Sequence, residues 1–186
     1  MLMKTRIKTA IISSMAVVAA FISLTSTTSC NRDKCKTVVC AHNGVCDGGI
    51  CLCPAGYEGS NCETVSRDKF LGNWTVFEKG SVTNSAQYGV TVGPAANISH
   101  IAITNFYNYF RTQIDGYIVK DTMYIPNQQY EGKLVFGIGY IYADVTYKQN
   151  AAILLRYEVI DTATQLVNDF GYNSVIDGSN PSMWNK

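Results

Sequence analysis

The sequence predicts a mainly β protein in which a small disulfide-rich module precedes an antiparallel β-barrel. Six of the seven cysteines fall between Cys35 and Cys62, and none follows. From about Ser66 onward, short runs rich in Val, Ile, Tyr, Phe and Thr are separated by Asn, Gly, Asp and Gln, which is the composition of strands and turns. Alternation is clearest near the end, where Ile153, Leu155, Tyr157 and Val159 share one face and Leu154, Arg156 and Glu158 the other.

The first segment, residues 1–29, reads as a secretory signal peptide. Lys4, Arg6 and Lys8 give a basic start, and the apolar stretch from Thr9 to Leu24 is shorter than the roughly 20 residues a membrane-spanning helix needs. The small-residue run Ser26-Thr27-Thr28-Ser29 directly before Cys30 resembles the lipobox of bacterial lipoproteins. Thr27 stands where that family usually has Leu or another aliphatic residue, so Ser29 and Cys30 carry the resemblance. It implies cleavage and acylation at Cys30, with 30–34 as a lipidated N-terminus and linker. Cleavage nearby or an uncleaved anchor is the competing reading. Acylation also accounts for the odd cysteine, and two or more acyl chains hold a protein on a membrane at about 0.8 kcal/mol per buried methylene.

The next six cysteines imply an oxidising compartment. Cys35, Cys40, Cys46, Cys51, Cys53 and Cys62 follow the spacing C-x4-C-x5-C-x4-C-x-C-x8-C, with Asn43-Gly44-Val45 before the third and Pro54-Ala55-Gly56-Tyr57-Glu58-Gly59 before the last. Residues 35–63 therefore resemble an EGF-like domain. Six cysteines allow fifteen pairings. The resemblance implies Cys35 with Cys46, Cys40 with Cys51, and Cys53 with Cys62. Each bridge contributes about 2–4 kcal/mol where no sufficient core can form. Gly44, Gly56 and Gly59 are expected to supply positive φ in the turns. Zinc is disfavoured, because no paired C-x2-C knuckles occur. Calcium is not expected either: Asn31-Arg32-Asp33-Lys34 offers one carboxylate between two cations, whereas the ion takes roughly six to eight oxygens.

The second domain is expected over 67–167. Strands are predicted near Asn73–Glu78, Gln87–Val92, Ile98–Phe106, Arg111–Val119, Thr122–Ile125, Lys133–Tyr147 and Ala151–Ile160, with Asp115-Gly116 and Lys120-Asp121 as alternative hairpin turns. Gly137 and Gly139 suggest that the long apolar run around them bends around a closed sheet. Phe70-Leu71-Gly72-Asn73-Trp74-Thr75 resembles the G-x-W opening of lipocalin-like (calycin) barrels. The resemblance implies that Gly72 and Trp74 close the barrel base and that Arg156, on the final predicted strand, stacks on Trp74. Residues 168–186 read as an irregular tail, and the kinase-like triplet Asp169-Phe170-Gly171 has no kinase context.

Charge excludes two partner classes. Without the three cations of the leader, twelve cations face fourteen acids, a net −2, with no basic patch for nucleic acid and no polybasic segment for anionic lipid. No phosphate loop, H-E-x-x-H or nucleophile elbow is present, and a Ser–His–Asp site would have to combine His100 with Asp115, Asp144 or Asp161. No catalytic residue, metal or cofactor is predicted. Eleven of the twelve tyrosines lie beyond Ser66 and offer flat faces and hydroxyls for a ligand or glycan, while about half are expected to point inward. Asp121-Thr122-Met123 and Asp161-Thr162-Ala163 resemble bacterial O-glycosylation sites.

The expectation is a non-enzymatic lipoprotein of the cell envelope, held at the outer membrane, with the EGF-like module as spacer. Its barrel either binds a small apolar or glycan ligand, or is filled by side chains and works through protein contacts at its surface. A secreted hydrolase is the remaining alternative.

Overall fold

Disulfides take the place of a core in the N-terminal region of the computed structural model, which describes residues 34–142, 151–173, 175 and 180–186. Cys35 is bonded to Cys46, Cys40 to Cys51 and Cys53 to Cys62, across separations of 11, 11 and 9 residues. These are the pairs the resemblance implies. Strands β1 (Val45–Asp47) and β2 (Ile50–Leu52) form one hairpin, and β3 (Tyr57–Glu58) pairs with β4 (Thr64–Val65). Gly56 has φ 89°, as its turn requires, but Gly44 does not adopt the positive φ expected of it. A Cβ at Gly44 would stand 2.9 Å from the Sγ of Cys62, so packing against the bridges is what demands glycine there.

A closed sheet follows. Its strands are β5 (Gly72–Glu78), β6 (Ala86–Pro94), β7 (His100–Thr104), β8 (Ile114–Val119), β9 (Thr122–Tyr130), β10 (Lys133–Tyr142) and β11 (Ala152–Asp161). Each pairs antiparallel with the next. The eighth strand is β13 (Ser182–Asn185), which pairs with both β11 and β5 and completes an eight-stranded antiparallel barrel. A short β12 (Val167–Phe170) lies along the far part of β11, where Glu158 faces Asp169 and Ile160 faces Val167.

The expected irregular tail at 168–186 is thus corrected, and the barrel boundary at 167 with it. Part of that tail is strand, and Trp184 is a core residue at 1% exposure. The polar pair Asn168-Asp169 made the segment read as loop. In the fold both are buried, and the Asp169-Phe170-Gly171 triplet is a turn in which the Asp169 carboxylate accepts the backbone N–H of Gly171 and of Asn173, each at 2.9 Å.

Strand β9 runs five residues further than the predicted Thr122–Ile125, because Pro126 is absorbed by a bulge. Pairing shifts between Val135 opposite Gln128 and Gly137 opposite Ile125, so Pro126 and Asn127 together face Phe136. Proline in a strand is tolerated at such a site. The Lys120-Asp121 alternative is the hairpin turn, joining Val119 to Thr122. Asp115-Gly116 lies inside β8. Residues 143–147 of the predicted Lys133–Tyr147 strand are outside the described residues. Gly137 allows β10 to close on β11, since a Cβ there would fall 2.5 Å from that of Tyr157.

Alternate residues fill the interior. Trp74, Val76, Val90, Val92, Ile101, Ile103, Ile114, Ile118, Met123, Ile125, Val135, Ile153, Leu155, Tyr157 and Trp184 are each at most 2% exposed. Burying side chains of this size stabilises by about 1.5–3 kcal/mol each, before the entropy of ordering them is subtracted.

Candidate functional site at the barrel mouth and wall

The two barrel ends are built differently. At the base, the 3-10 turn Ser66–Lys69 leads into β5, and the Trp74 Nε1–H donates to the carbonyl of Phe70 at 2.7 Å. The cation over this indole is Lys186, whose Nζ stands 4.9 Å from the ring. The expected stacking of Arg156 on Trp74 is a correction. Side chains alternate along β11, so with Leu155 and Tyr157 turned inward Arg156 must face out, where it donates to the carbonyl of Gly171 at 2.9 Å.

The disulfide-bonded module docks on this base. Ser66 N–H donates to the Gly56 carbonyl at 2.9 Å, and a Cβ on Gly56 would fall 2.5 Å from the Ile98 Cγ2. Arg67 donates to the carbonyls of Ala95 and His100, each at 3.1 Å, fixing the loop between β6 and β7.

At the opposite end, the alternation that turns Trp74 and Val76 inward also turns in Glu78, which is 8% exposed. Its carboxylate accepts hydrogen bonds from the hydroxyls of Tyr88 (2.6 Å), Tyr157 (2.8 Å) and Ser182 (2.7 Å). Ser182 in turn accepts from Trp184 Nε1 at 3.0 Å. Burial pushes the Glu78 carboxyl above its usual range, against the pull of the three hydroxyls. Burial and the adjacent carboxylate push both tyrosine hydroxyls up as well.

The loop between β7 and β8 closes this mouth. Asn105, Tyr107 and Asn108 have φ of 62°, 58° and 49°, a left-handed path uncommon outside glycine and notable for a tyrosine. The path drives Phe106 into the barrel, edge-on to Tyr157 at 4.9 Å and 6.1 Å from Trp184. Asn168 braces the rim by donating to Thr83 and to the Tyr107 hydroxyl, each at 3.0 Å. Between these groups remains a cleft of about 260 Å³, with Glu78 and Tyr88 in its lining and Tyr107 and Tyr109 beside them. A second, shallower cleft of about 840 Å³ adjoins it through Asn108 and Tyr109 and reaches Arg111 and Glu131.

The outer wall carries a further groove of about 450 Å³ over β8, β9 and β10. Tyr117 and Tyr124, paired across β8 and β9, stack at 5.0 Å with planes 10° apart. Phe136 meets Tyr172 edge-on at 5.0 Å, and the Pro126 bulge lies between the two pairs. Tyr140 and Tyr142, 40% and 56% exposed, continue the aromatic face along β10.

Other sequence-predicted positions are distributed as follows. Cys30, Asp144 and the residues before Lys34 lie outside the described residues. Gly72, with φ 116°, opens β5. His100 is exposed on β7 at the base, with its Nδ1 3.3 Å from Ser99 Oγ, while Asp161 stands at the mouth and caps its own turn. Of the tyrosines expected to divide between core and surface, Tyr157 alone among the described ones is fully buried. Glu78 was missed, because a glutamate at a strand end reads as solvated, although the parity of Trp74 and Val76 points it inward.

No protein family and no curated protein matches the chain at a significant level. Among solved structures, a structural-genomics protein of unknown function from Bacteroides ovatus is similar at 11% identity and a TM-score of 0.38, over 61% of this chain and 40% of that one. The chain thus spans less than half of that protein's length, and a likeness of this size bears on neither fold nor function.

Proposed function

We propose that the protein is a non-enzymatic recognition module of the bacterial cell envelope. Acylated Cys30 holds it at the outer membrane, the EGF-like module is a rigid spacer, and the lipocalin-like barrel is a scaffold that makes protein contacts through its outer wall. The observation that carries this reading is the filled interior: Trp74, Tyr157, Trp184 and Phe106 occupy the space in which a carrier would hold an apolar ligand. Side chains instead project outward as aromatic surface at Tyr117, Tyr124, Phe136 and Tyr172, a composition typical of interface centres. The docked base supports the spacer role, because it leaves the mouth at the barrel end opposite the module, while Tyr117 of the wall borders the module.

The test uses the full chain in its own cells, with a photoreactive residue at Tyr124. It is expected to crosslink to one protein species, and to stop doing so when Phe136 and Tyr172 are both changed to Ser. Crosslinking to nothing would overturn the reading. So would an uncharged apolar molecule that co-purifies reproducibly and leaves on denaturation in native mass spectrometry, since it would need the interior space that Trp74, Tyr157 and Trp184 fill.

A further inference from the structure

We propose that the barrel mouth is a binding site for an alkylated ammonium group, with Glu78 as its counter-charge and tyrosine rings as its walls. This site is separate from the wall groove.

The first argument is charge. Asp161 at this end has Lys133 at 3.2 Å, Glu131 accepts the backbone N–H of Arg111 and Thr112, and Asp169 accepts two backbone N–H groups of its own turn. Glu78 has only the hydroxyls of Tyr88, Tyr157 and Ser182. Among the described residues no Lys, Arg or His comes within ion-pair distance of it. Hydroxyls solvate a carboxylate but leave its charge in place, and a buried charge is ordinarily paired. Glu78 nevertheless borders a cleft that a ligand can enter.

The second argument is the kind of cation. Calcium and magnesium take roughly six or more oxygen ligands, among the described residues no cluster of three His, Cys, Asp or Glu stands ready for another metal, and three of the four carboxylate lone-pair directions here already accept hydroxyls. A primary ammonium brings three N–H donors that need acceptors of their own. An alkylated ammonium brings few or none, carries diffuse charge and packs against the faces of aromatic rings. The lining supplies such rings: Tyr107 and Tyr109 lie 6.3 Å apart and 53° from parallel, forming two walls of a wedge beside Tyr88. Tyr109 already carries a cation on its ring, since Lys133 Nζ stands 4.9 Å from the centroid. Burial raises the Glu78 carboxyl pKa against the pull of the three hydroxyls, so a cation beside it would favour its ionised form.

The experiment is a titration of the full, oxidised chain with choline and with choline's uncharged carbon isostere, followed by calorimetry and by the chemical shift of the Glu78 side-chain carboxyl. Choline is expected to bind saturably, the isostere at least about tenfold more weakly, and the Glu78 carboxyl to ionise more readily in the complex. Glu78→Gln is expected to lower choline affinity by about tenfold without changing that of the isostere, and Tyr109→Leu to lower it several-fold. Tyr109 is 46% exposed, so its variant keeps the reading testable if the Glu78 variant fails to fold. Equal binding of choline and the isostere would reduce the cleft to an apolar depression and overturn the proposal. Absence of saturation for choline, or unchanged affinity in the Tyr109 variant, would overturn it too. None of these outcomes alters crosslinking from Tyr124, so failure here and failure of the wall reading are separable.

Discussion

The Nζ of Lys69 lies 2.7 Å from a carboxylate oxygen of Glu58, joining the turn that enters the barrel to the disulfide-bonded module. Asp121, in the turn between β8 and β9, holds the same ammonium from the other side. These partners are partly exposed, so the bridge itself is worth about 0–1 kcal/mol. The apolar contact beneath it matters more. Gly56→Ala is expected to destabilise the docked form by about 1–3 kcal/mol, because its φ is 89° and its Cβ would meet Ile98, whereas Lys69→Met costs less than about 1 kcal/mol. Urea unfolding of the oxidised protein separates the two. An equal or larger loss for the lysine variant would place the docking energy in the ion pair.

Phe106→Ala removes the ring that closes the mouth. A loss of about 3–5 kcal/mol is expected, together with an apolar cavity beside Tyr157 and Trp184. Such a cavity stays dry and takes up xenon or benzene, which the native chain should not. Uptake of either probe by the unaltered chain would show that its interior is not filled.

Glu78 and Asp161 act on stability in opposite pH windows. The folded-state carboxyl of Glu78 is raised, so its contribution is fully present below the ordinary carboxylate range and is lost as pH rises through the folded value. Glu78→Gln should therefore gain stability relative to the native chain as the pH is raised from acid toward neutral. Asp161 is depressed to about 2, chiefly by the backbone N–H and hydroxyl of Thr164 and then by Lys133. Its contribution is present above the unfolded value and is lost as pH falls through about 2. Urea midpoints of the native chain, Glu78→Gln and Asp161→Asn across this range would check both signs. A pH-independent difference between native and Glu78→Gln would mean that the carboxyl is not perturbed.

Both tryptophans, Trp74 and Trp184, belong to the barrel, and all three disulfides belong to the module. Reduction is therefore expected to unfold the module while the near-ultraviolet dichroism of the two indoles persists. A parallel loss of the tryptophan signal would show that the barrel depends on the docked module for its own stability.

Where strands were long and alternated cleanly, as at Ile153 to Val159, the residues themselves disclosed both the strand and its inward face. The three cysteine pairs follow what the resemblance to an EGF-like domain implied, where the residues alone left fifteen pairings open. Three features escaped for physical reasons. Pro126 argued for ending β9, and the bulge that accommodates it depends on a neighbouring strand. The four-residue β13 is too short for its alternation to stand out, though Ser182 and Trp184 do obey it. Arg156 was matched to Trp74 by family resemblance against the parity of its own strand, and parity prevailed. The mouth was hidden because its key group, Glu78, is polar and buried, and only the three hydroxyls brought from β6, β11 and β13 make that burial tolerable.

The strand that seals the barrel is also the last of its strands to be synthesised. Until Ser182–Asn185 is in place, β5 and the Ala152–Leu155 part of β11 present unpaired backbone edges, so the sheet cannot close while the chain is still emerging. In that interval the nascent domain is an open ribbon with two adhesive margins. Its vulnerability to proteases and to pairing with other chains ends only with the arrival of four residues.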